Sequence, residues 1–283
     1  MIPVNVRRAL HLEPTERENR KNRLLIRPAR TRHQCRQDHL MQLAEMNALG
    51  SLRDLLRCYK ASFVSLMVLS EDELHRFLEG GLELRDRSTT SVPYLKAIGL
   101  GLPGRICLIC NSQGMTVPHY FNYSLSLICP IHETLLLEIC DGCESPILYT
   151  RKHRLRCGHC HRDFRESQPT PAPDWAKEFR RRFSPVQELG FCDVTGHSDL
   201  AITRLLLWHY APGKNRSKYS YPNLGIKRHP WLEQAAYLPD EWIEKIVVEF
   251  RDKYPKHVDD LAAWTRYPTP INSIIQRVLR DSI

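Results

Sequence analysis

Cys107-Leu-Ile-Cys110, Cys129-Pro-Ile-His132, Cys140-Asp-Gly-Cys143 and Cys157-Gly-His-Cys160 follow one another through the middle of the chain. Each is a pair of soft ligands with two residues between them. At that spacing a tight turn brings both side chains to one metal ion, and two pairs complete a tetrahedral shell with no open position. The eight residues therefore read as two structural zinc sites. Sequential pairing puts Cys107, Cys110, Cys129 and His132 on one ion and Cys140, Cys143, Cys157 and Cys160 on the other; a crossed pairing stays open. His119, His153, His159 and His161 lie close by in sequence, but as ligands they would have to displace a cysteine, so they read as solvated or supporting. Cys35, Cys58 and Cys192 stand alone and read as buried thiols.

The ten cysteines belong to a 283-residue chain in which 42% of residues are hydrophobic, enough to bury more than one core. The opening residues, MIPVNVRRALHLEPTEREN, have neither an apolar stretch nor a small-residue cleavage site, so no secretory signal is expected. No stretch has the length and apolarity of a membrane span. Paired thiols without a signal point to a reducing, cytoplasmic compartment and to metal rather than disulfides.

The formal charge is +9 and unevenly spread. Residues 1–36 carry ten Lys or Arg against three Glu. A second run, Arg151, Lys152, Arg154, Arg156, Arg162 and Arg165, is opposed only by Asp163, and a third, from Lys214 through Arg216 and Lys218 to Arg228, contains no acid. Such runs suit a polyanion such as nucleic acid. Arg151, Lys152, Arg154, Lys214, Arg216 and Lys218 are the candidate phosphate contacts, and Tyr219 and Tyr221 lie just beyond the last three. The alternative is a set of solvated faces.

These features divide the chain. Residues 1–36 lack periodicity and read as a basic arm. Residues 37–102 carry short amphipathic helices, one through Leu40, Leu43 and Ala44, one capped by Ser51 with Asp54 and bearing Leu52, Leu55, Leu56 and Tyr59, and one from Ser70 bearing Leu74, Phe77 and Leu78. They fit a helix-turn-helix unit and equally an ordinary three-helix bundle. Residues 103–165 are the tandem zinc module, its second half reading as a zinc ribbon with a hairpin between knuckles. Residues 166–173 read as an extended Pro-rich linker. Residues 174–283 form a helical unit, with Trp242, Ile243, Ile246, Val247 and Phe250 on one helix and Ile271, Ile274, Ile275, Val278 and Leu279 on the last. The fold class expected is mainly α with small zinc-ribbon elements.

No enzyme signature accompanies the metal motifs. The chain lacks H-E-x-x-H, G-x-S-x-G, a P-loop and the deaminase pattern, so a non-catalytic protein is expected.

The order of motifs resembles the TniQ/TnsD family of transposon targeting proteins. The resemblance rests on Arg105-Ile-Cys107 to Cys110, the aromatic stretch His119-Tyr-Phe-Asn-Tyr123, Cys129-Pro-Ile-His132, the run Leu135-Leu136-Leu137, and the pairs Cys140/Cys143 and Cys157/Cys160. It covers residues 103–164 well and residues 37–80 loosely. The family usually has Trp near Tyr123 and Gly where Glu133 stands. What the resemblance implies is a prokaryotic adaptor that links a target-site complex to an AAA+ ATPase regulator of transposition. The shorter members of the family ride on an RNA-guided, Cascade-type effector, and target DNA is a further partner; a homodimer stays open. The rival expectations are a free-standing zinc-ribbon DNA-binding regulator and, behind it, a zinc-dependent nuclease.

Overall fold

The helix Arg36–Met46 (α1) begins on a cysteine: Cys35 is its N-cap, with Sγ accepting the backbone N–H of Asp38. A computed structural model describes residues 28, 30–31, 34–59, 61, 66, 69, 71–78, 104–122, 125–149, 151–183, 202, 205–206, 209–210, 231–265 and 270–281. After α1 come Leu52–Cys58 (α2), Glu71–Leu78 (α3), Leu108–Ser112 (α4), Asp174–Phe183 (α5), Leu232–Ala236 (α6), Asp240–Lys253 (α7), Val258–Trp264 (α8) and Pro270–Arg280 (α9). The chain is mainly helical, as its periodicity indicates, and no helix among the described residues is long and apolar enough to cross a membrane.

Extended pairing among the described residues is confined to single bridges, so the hairpin ladder expected of a ribbon does not form there. Three of the six bridges place a proline opposite the partner, at Pro118, Pro146 and Pro171. Proline has no N–H to continue a ladder, which limits each pairing to one step. The segment 133–139 gathers most of the bridges: Thr134 pairs with Pro171, Leu135 with Ile128, Leu137 with Ile106 and Ile139 with Pro146.

Two hydrophobic cores flank this segment. The first joins Leu40, Leu43, Leu52, Leu55, Leu74 and Phe77 of α1–α3 to Ile106, Cys107, Cys129, Cys140, Tyr149 and Phe164 of the cysteine-rich region. The second joins Leu125, Leu127 and Ile128 to Phe179 and Phe183 of α5 and to the apolar faces of α7 and α9. Each fully buried aliphatic side chain contributes about 1.5–3 kcal/mol of transfer free energy. On α7 the buried stripe is Ile243, Ile246 and Val247, whereas Trp242, expected in the packing, is 48% exposed with Lys245 over its ring. One residue turns a helix by about 100°, so Trp242 sits just off the face its neighbours bury.

The Pro-rich stretch is extended but is not a free spacer. Leu135 N–H donates to Thr170 O at 2.9 Å, Ala172 N–H donates to Glu133 O at 2.8 Å, and Ser167 Oγ donates to Asp141 at 2.9 Å. The last residues of the basic arm are also part of the fold, since Gln34 and Cys35 are fully buried. Ser51 caps α2 as its sequence indicates, accepting Asp54 N–H. The Ser70 cap, the glycines after α3 and most of the segment between α5 and α6 lie outside the described residues.

A buried charge fixes α1 against the cysteine-rich region. Asp38, fully buried, receives the Arg154 guanidinium on both oxygens at 2.8 and 3.0 Å and also accepts from Gln34 Nε2 and Val117 N–H. Removing Asp38 leaves the largely buried Arg154 guanidinium, 15% exposed, without its carboxylate partner. Asp38→Ala is therefore expected to destabilise the metal-loaded protein by about 3–5 kcal/mol in urea unfolding, while breaking the surface pair Asp54–Arg57 with Arg57→Ala changes stability by less than about 1 kcal/mol.

Candidate metal centres

Three of the four ligand pairs are built the same way. The first ligand's N–H donates to the carbonyl five residues on, as in Cys129 to Thr134 at 2.8 Å, Cys140 to Ser145 at 2.9 Å and Cys157 to Arg162 at 2.9 Å. The fourth residue after each first cysteine then takes a left-handed backbone: Glu133 at φ 49°, Glu144 at φ 57° and His161 at φ 61°. One bridge closes each loop behind the turn, Ile128 to Leu135, Ile139 to Pro146 and Arg156 to Asp163. Backbone N–H groups inside two of these turns point at sulfur, from Gly142 to Cys140 and from His159 to Cys157, each at 3.4 Å.

The remaining pair is a helix start. Cys107 is the N-cap of α4, and Cys110 N–H reaches its Sγ at 3.5 Å. Helical pitch brings Cys110 back over Cys107, so this pair obtains its geometry from a cap.

These turns assemble into two clusters, Cys107, Cys110, Cys129 and His132 in one and Cys140, Cys143, Cys157 and Cys160 in the other, each with its ligand atoms within 4.8 Å of one another. The grouping is sequential and not crossed. Sulfur–sulfur distances are 3.7 Å for Cys110–Cys129 and 3.6 Å for Cys140–Cys160 and Cys143–Cys157. His132 Nδ1 lies 3.5, 3.3 and 3.6 Å from the sulfurs of Cys107, Cys110 and Cys129. A tetrahedral ion with metal–sulfur bonds of about 2.3 Å and metal–nitrogen bonds of about 2.0 Å has edges of about 3.8 and 3.5 Å. A disulfide would need sulfurs at about 2.05 Å. The spacing fits a shared metal ion.

The protonation pattern has the same origin. In the second cluster burial pushes the Cys140 thiol up to about 12, while hydrogen bonds from the Ser145 side chain and then its backbone hold Cys143 down at about 5. In the first, hydrogen bonds from Cys110 and Cys129 lower Cys107, and the contact with Cys107 is in turn the largest influence raising each of those two. Crowded sulfurs share protons, and metal binding displaces them.

Around the clusters, charged groups turn inward. Arg105, 4% exposed, pairs with Glu138 at 2.7 Å and donates to Ser126 O at 2.9 Å, joining the approach to Cys107, the 133–139 segment and the approach to Cys129. Arg151 corrects an expectation. It is buried, donates to Leu148 O and Arg154 O, and lies 5.7 and 5.8 Å from the ring centroids of Tyr149 and Phe164. Arg154 is committed to Asp38. Neither is an exposed phosphate contact: Arg151 lies against two aromatic rings and Arg154 is paired with a buried carboxylate. Lys152 is exposed, and Lys214, Arg216 and Lys218 lie outside the described residues. His153, His159 and His161 are exposed and belong to neither cluster. Of the lone thiols, Cys35 is buried, with burial pushing it up to about 12, and Cys192 lies outside the described residues. Cys58 is exposed at the end of α2, off the stripe that buries Leu52 and Leu55.

No family model, curated protein or solved structure matches the chain.

Two outcomes follow from this geometry. Because ligands must lose protons, metal affinity is expected to fall about ten-fold or more for each pH unit below neutrality, measured by competition with a chromophoric chelator. A left-handed residue other than glycine costs about 1–2 kcal/mol. Glu144→Gly, at an exposed position, is therefore expected to raise stability by up to about 1 kcal/mol after glycine's own entropy is subtracted, read in urea unfolding of the metal-loaded chain.

Proposed function

We propose that the chain is a zinc-organised, non-catalytic adaptor of the TniQ/TnsD kind, linking a target-site complex to an AAA+ transposition regulator. The observation that carries this reading is the pair of complete four-ligand clusters. Three cysteines with one histidine, and four cysteines, are both donor sets that suit Zn²⁺, and with four protein ligands each leaves no position for a substrate or an activated water. Metal of that type shapes a surface and does no chemistry. Cysteines of both clusters belong to the core that contains α1–α3, and Ile128, next to Cys129 in the chain, belongs to the second core, which supports a platform between two helical units. In this reading α1–α3 form the helix-turn-helix-like unit, the knuckles at Cys140 and Cys157 form the ribbon, and the basic N-terminal residues meet the ATPase or DNA. The RNA-guided effector would be held by the helical C-terminal unit.

A second reading, a free-standing DNA-binding regulator, draws on Lys152 and Arg156, which are exposed beside the second cluster. Arg156 and Arg165 both flank Asp163, however, with Arg165 paired to it at 2.6 Å, which lowers the net positive charge that this surface offers to phosphates.

Elemental analysis of protein purified without chelator is expected to give two zincs per chain. Pull-downs with the full chain should capture both the AAA+ ATPase and the RNA-guided effector, and removal of residues 1–27 should weaken the ATPase contact with zinc content unchanged. Two zincs with neither partner captured would discard the adaptor reading; salt-sensitive binding to a defined DNA site would then favour the regulator.

A further inference from the structure

The two clusters differ in what they show to solvent. In the first, the sulfurs of Cys107, Cys110 and Cys129 belong to residues that are 1%, 4% and 0% exposed, and the partly accessible ligand is the imidazole of His132. In the second, Cys140 and Cys157 are buried, but Cys143 is half-buried and Cys160 is exposed. The turn residues around those two, Asp141, Gly158 and His159, are exposed as well. Thiolate sulfur is oxidised by hydroperoxides and needs open approach to do so, whereas imidazole is not attacked in this way.

From this asymmetry we infer that the second cluster is a hydroperoxide-sensitive modification site at which Cys160 is the first sulfur oxidised, while the first cluster is shielded. The inference rests on the reading that both clusters hold zinc. The Cys160 thiolate attacks one oxygen of the peroxide; the O–O bond breaks, the sulfur becomes a sulfenic acid, and hydroxide leaves. Cys140, with its sulfur 3.6 Å from that of Cys160, then attacks the sulfenic sulfur, forming the disulfide and releasing a second hydroxide. Two thiolates are oxidised by two electrons in all and one peroxide is reduced. Cys143 and Cys157, also 3.6 Å apart, can react likewise with a second peroxide.

The consequence is confined to one side of the molecule. Cys140 and Cys157 are members of the core that contains α1–α3, as Cys107, Cys110 and Cys129 also are, and the loop between Cys143 and Cys157 carries Arg154, the partner of Asp38. Losing the second cluster's ligands frees that loop and with it the tie to α1. The core containing α5, α7 and α9 includes Leu125, Leu127 and Ile128 and none of the second cluster's ligands, so it keeps its support.

The test uses the full-length, zinc-loaded chain with Cys58→Ser and Cys192→Ser, so that other thiols do not consume oxidant. Hydrogen peroxide is added, free zinc is followed with 4-(2-pyridylazo)resorcinol, and each cysteine is scored by alkylation and mass spectrometry. Cys140 and Cys160 are expected to lose alkylation first, with zinc from the second cluster released at least about three-fold faster than from the first. A smaller ratio, or earlier oxidation of Cys107, Cys110 or Cys129, overturns the inference. Cys160→His keeps four ligands and is expected to slow release from the second cluster; an unchanged rate in a variant that still holds two zincs removes Cys160 from the role. A starting content below two zincs takes down the zinc reading and this inference together, whereas two zincs lost at equal rates takes down the inference alone.

Discussion

Seven residues separate His132 from Cys140, and both ends of that segment are held by ligand clusters. A segment clamped at its two ends has little freedom of register, and it is the segment through which residues from 106, 128, 146 and 171 are paired. Its leucines then divide between the cores: Leu136 packs with α1–α3, and Leu135 packs with the C-terminal helices. A metal ion held at each end of the segment would thus fix how Leu135 and Leu136 meet the two hydrophobic cores. That is why the prolines opposite this segment are tolerated: ligand geometry supplies the order that a hydrogen-bond ladder would supply in a sheet.

The charged residues inside the framework serve the same end. Arg105 spans residues 126 and 138, Arg154 reaches Asp38, and Arg182 reaches Ala236 O, Leu238 O and Asp240. In each case a guanidinium satisfies carbonyls or a carboxylate that short, irregular elements leave without ladder partners. A planar fork with five donors can do this from one position, and a lysine cannot. The basic composition read from the sequence is in part an internal requirement of a chain with few regular elements, so net charge overstates how much positive surface is left for a polyanion.

The sequence made the eight ligand residues visible because spacing and residue type are local, and their assembly requires no long-range information beyond two pairs meeting. Helices were legible where a stripe and a cap coincided, as at Ser51 with Leu52 and Leu55. The cysteine cap of α1 was not, because Cys35 offers no propensity signal for a helix start and acts through one N–H···S contact with Asp38. Nor was the inward turn of Arg151, which depends on Tyr149 and Phe164 being brought together from different segments. The docking of the Pro-rich stretch was hidden for a related reason: its bonds run through backbone groups of Glu133 and Thr170, which composition does not reveal.

The left-handed residues give the last step. Glu133, Glu144 and His161 occupy equivalent places in their turns, and none is glycine. At about 1–2 kcal/mol each, the three together cost about 3–6 kcal/mol. Structural zinc contributes on the order of 10–16 kcal/mol in small fingers, so occupied clusters offset that strain with a margin, and metal-free knuckles have no comparable term to hold them. The pair on α4 differs, because its turn is a helix start with ordinary dihedrals. The first cluster therefore carries one strained left-handed residue, Glu133, and the second carries two, Glu144 and His161. The second cluster, made wholly of knuckles, would thus depend on its ligand bonds more than the first does.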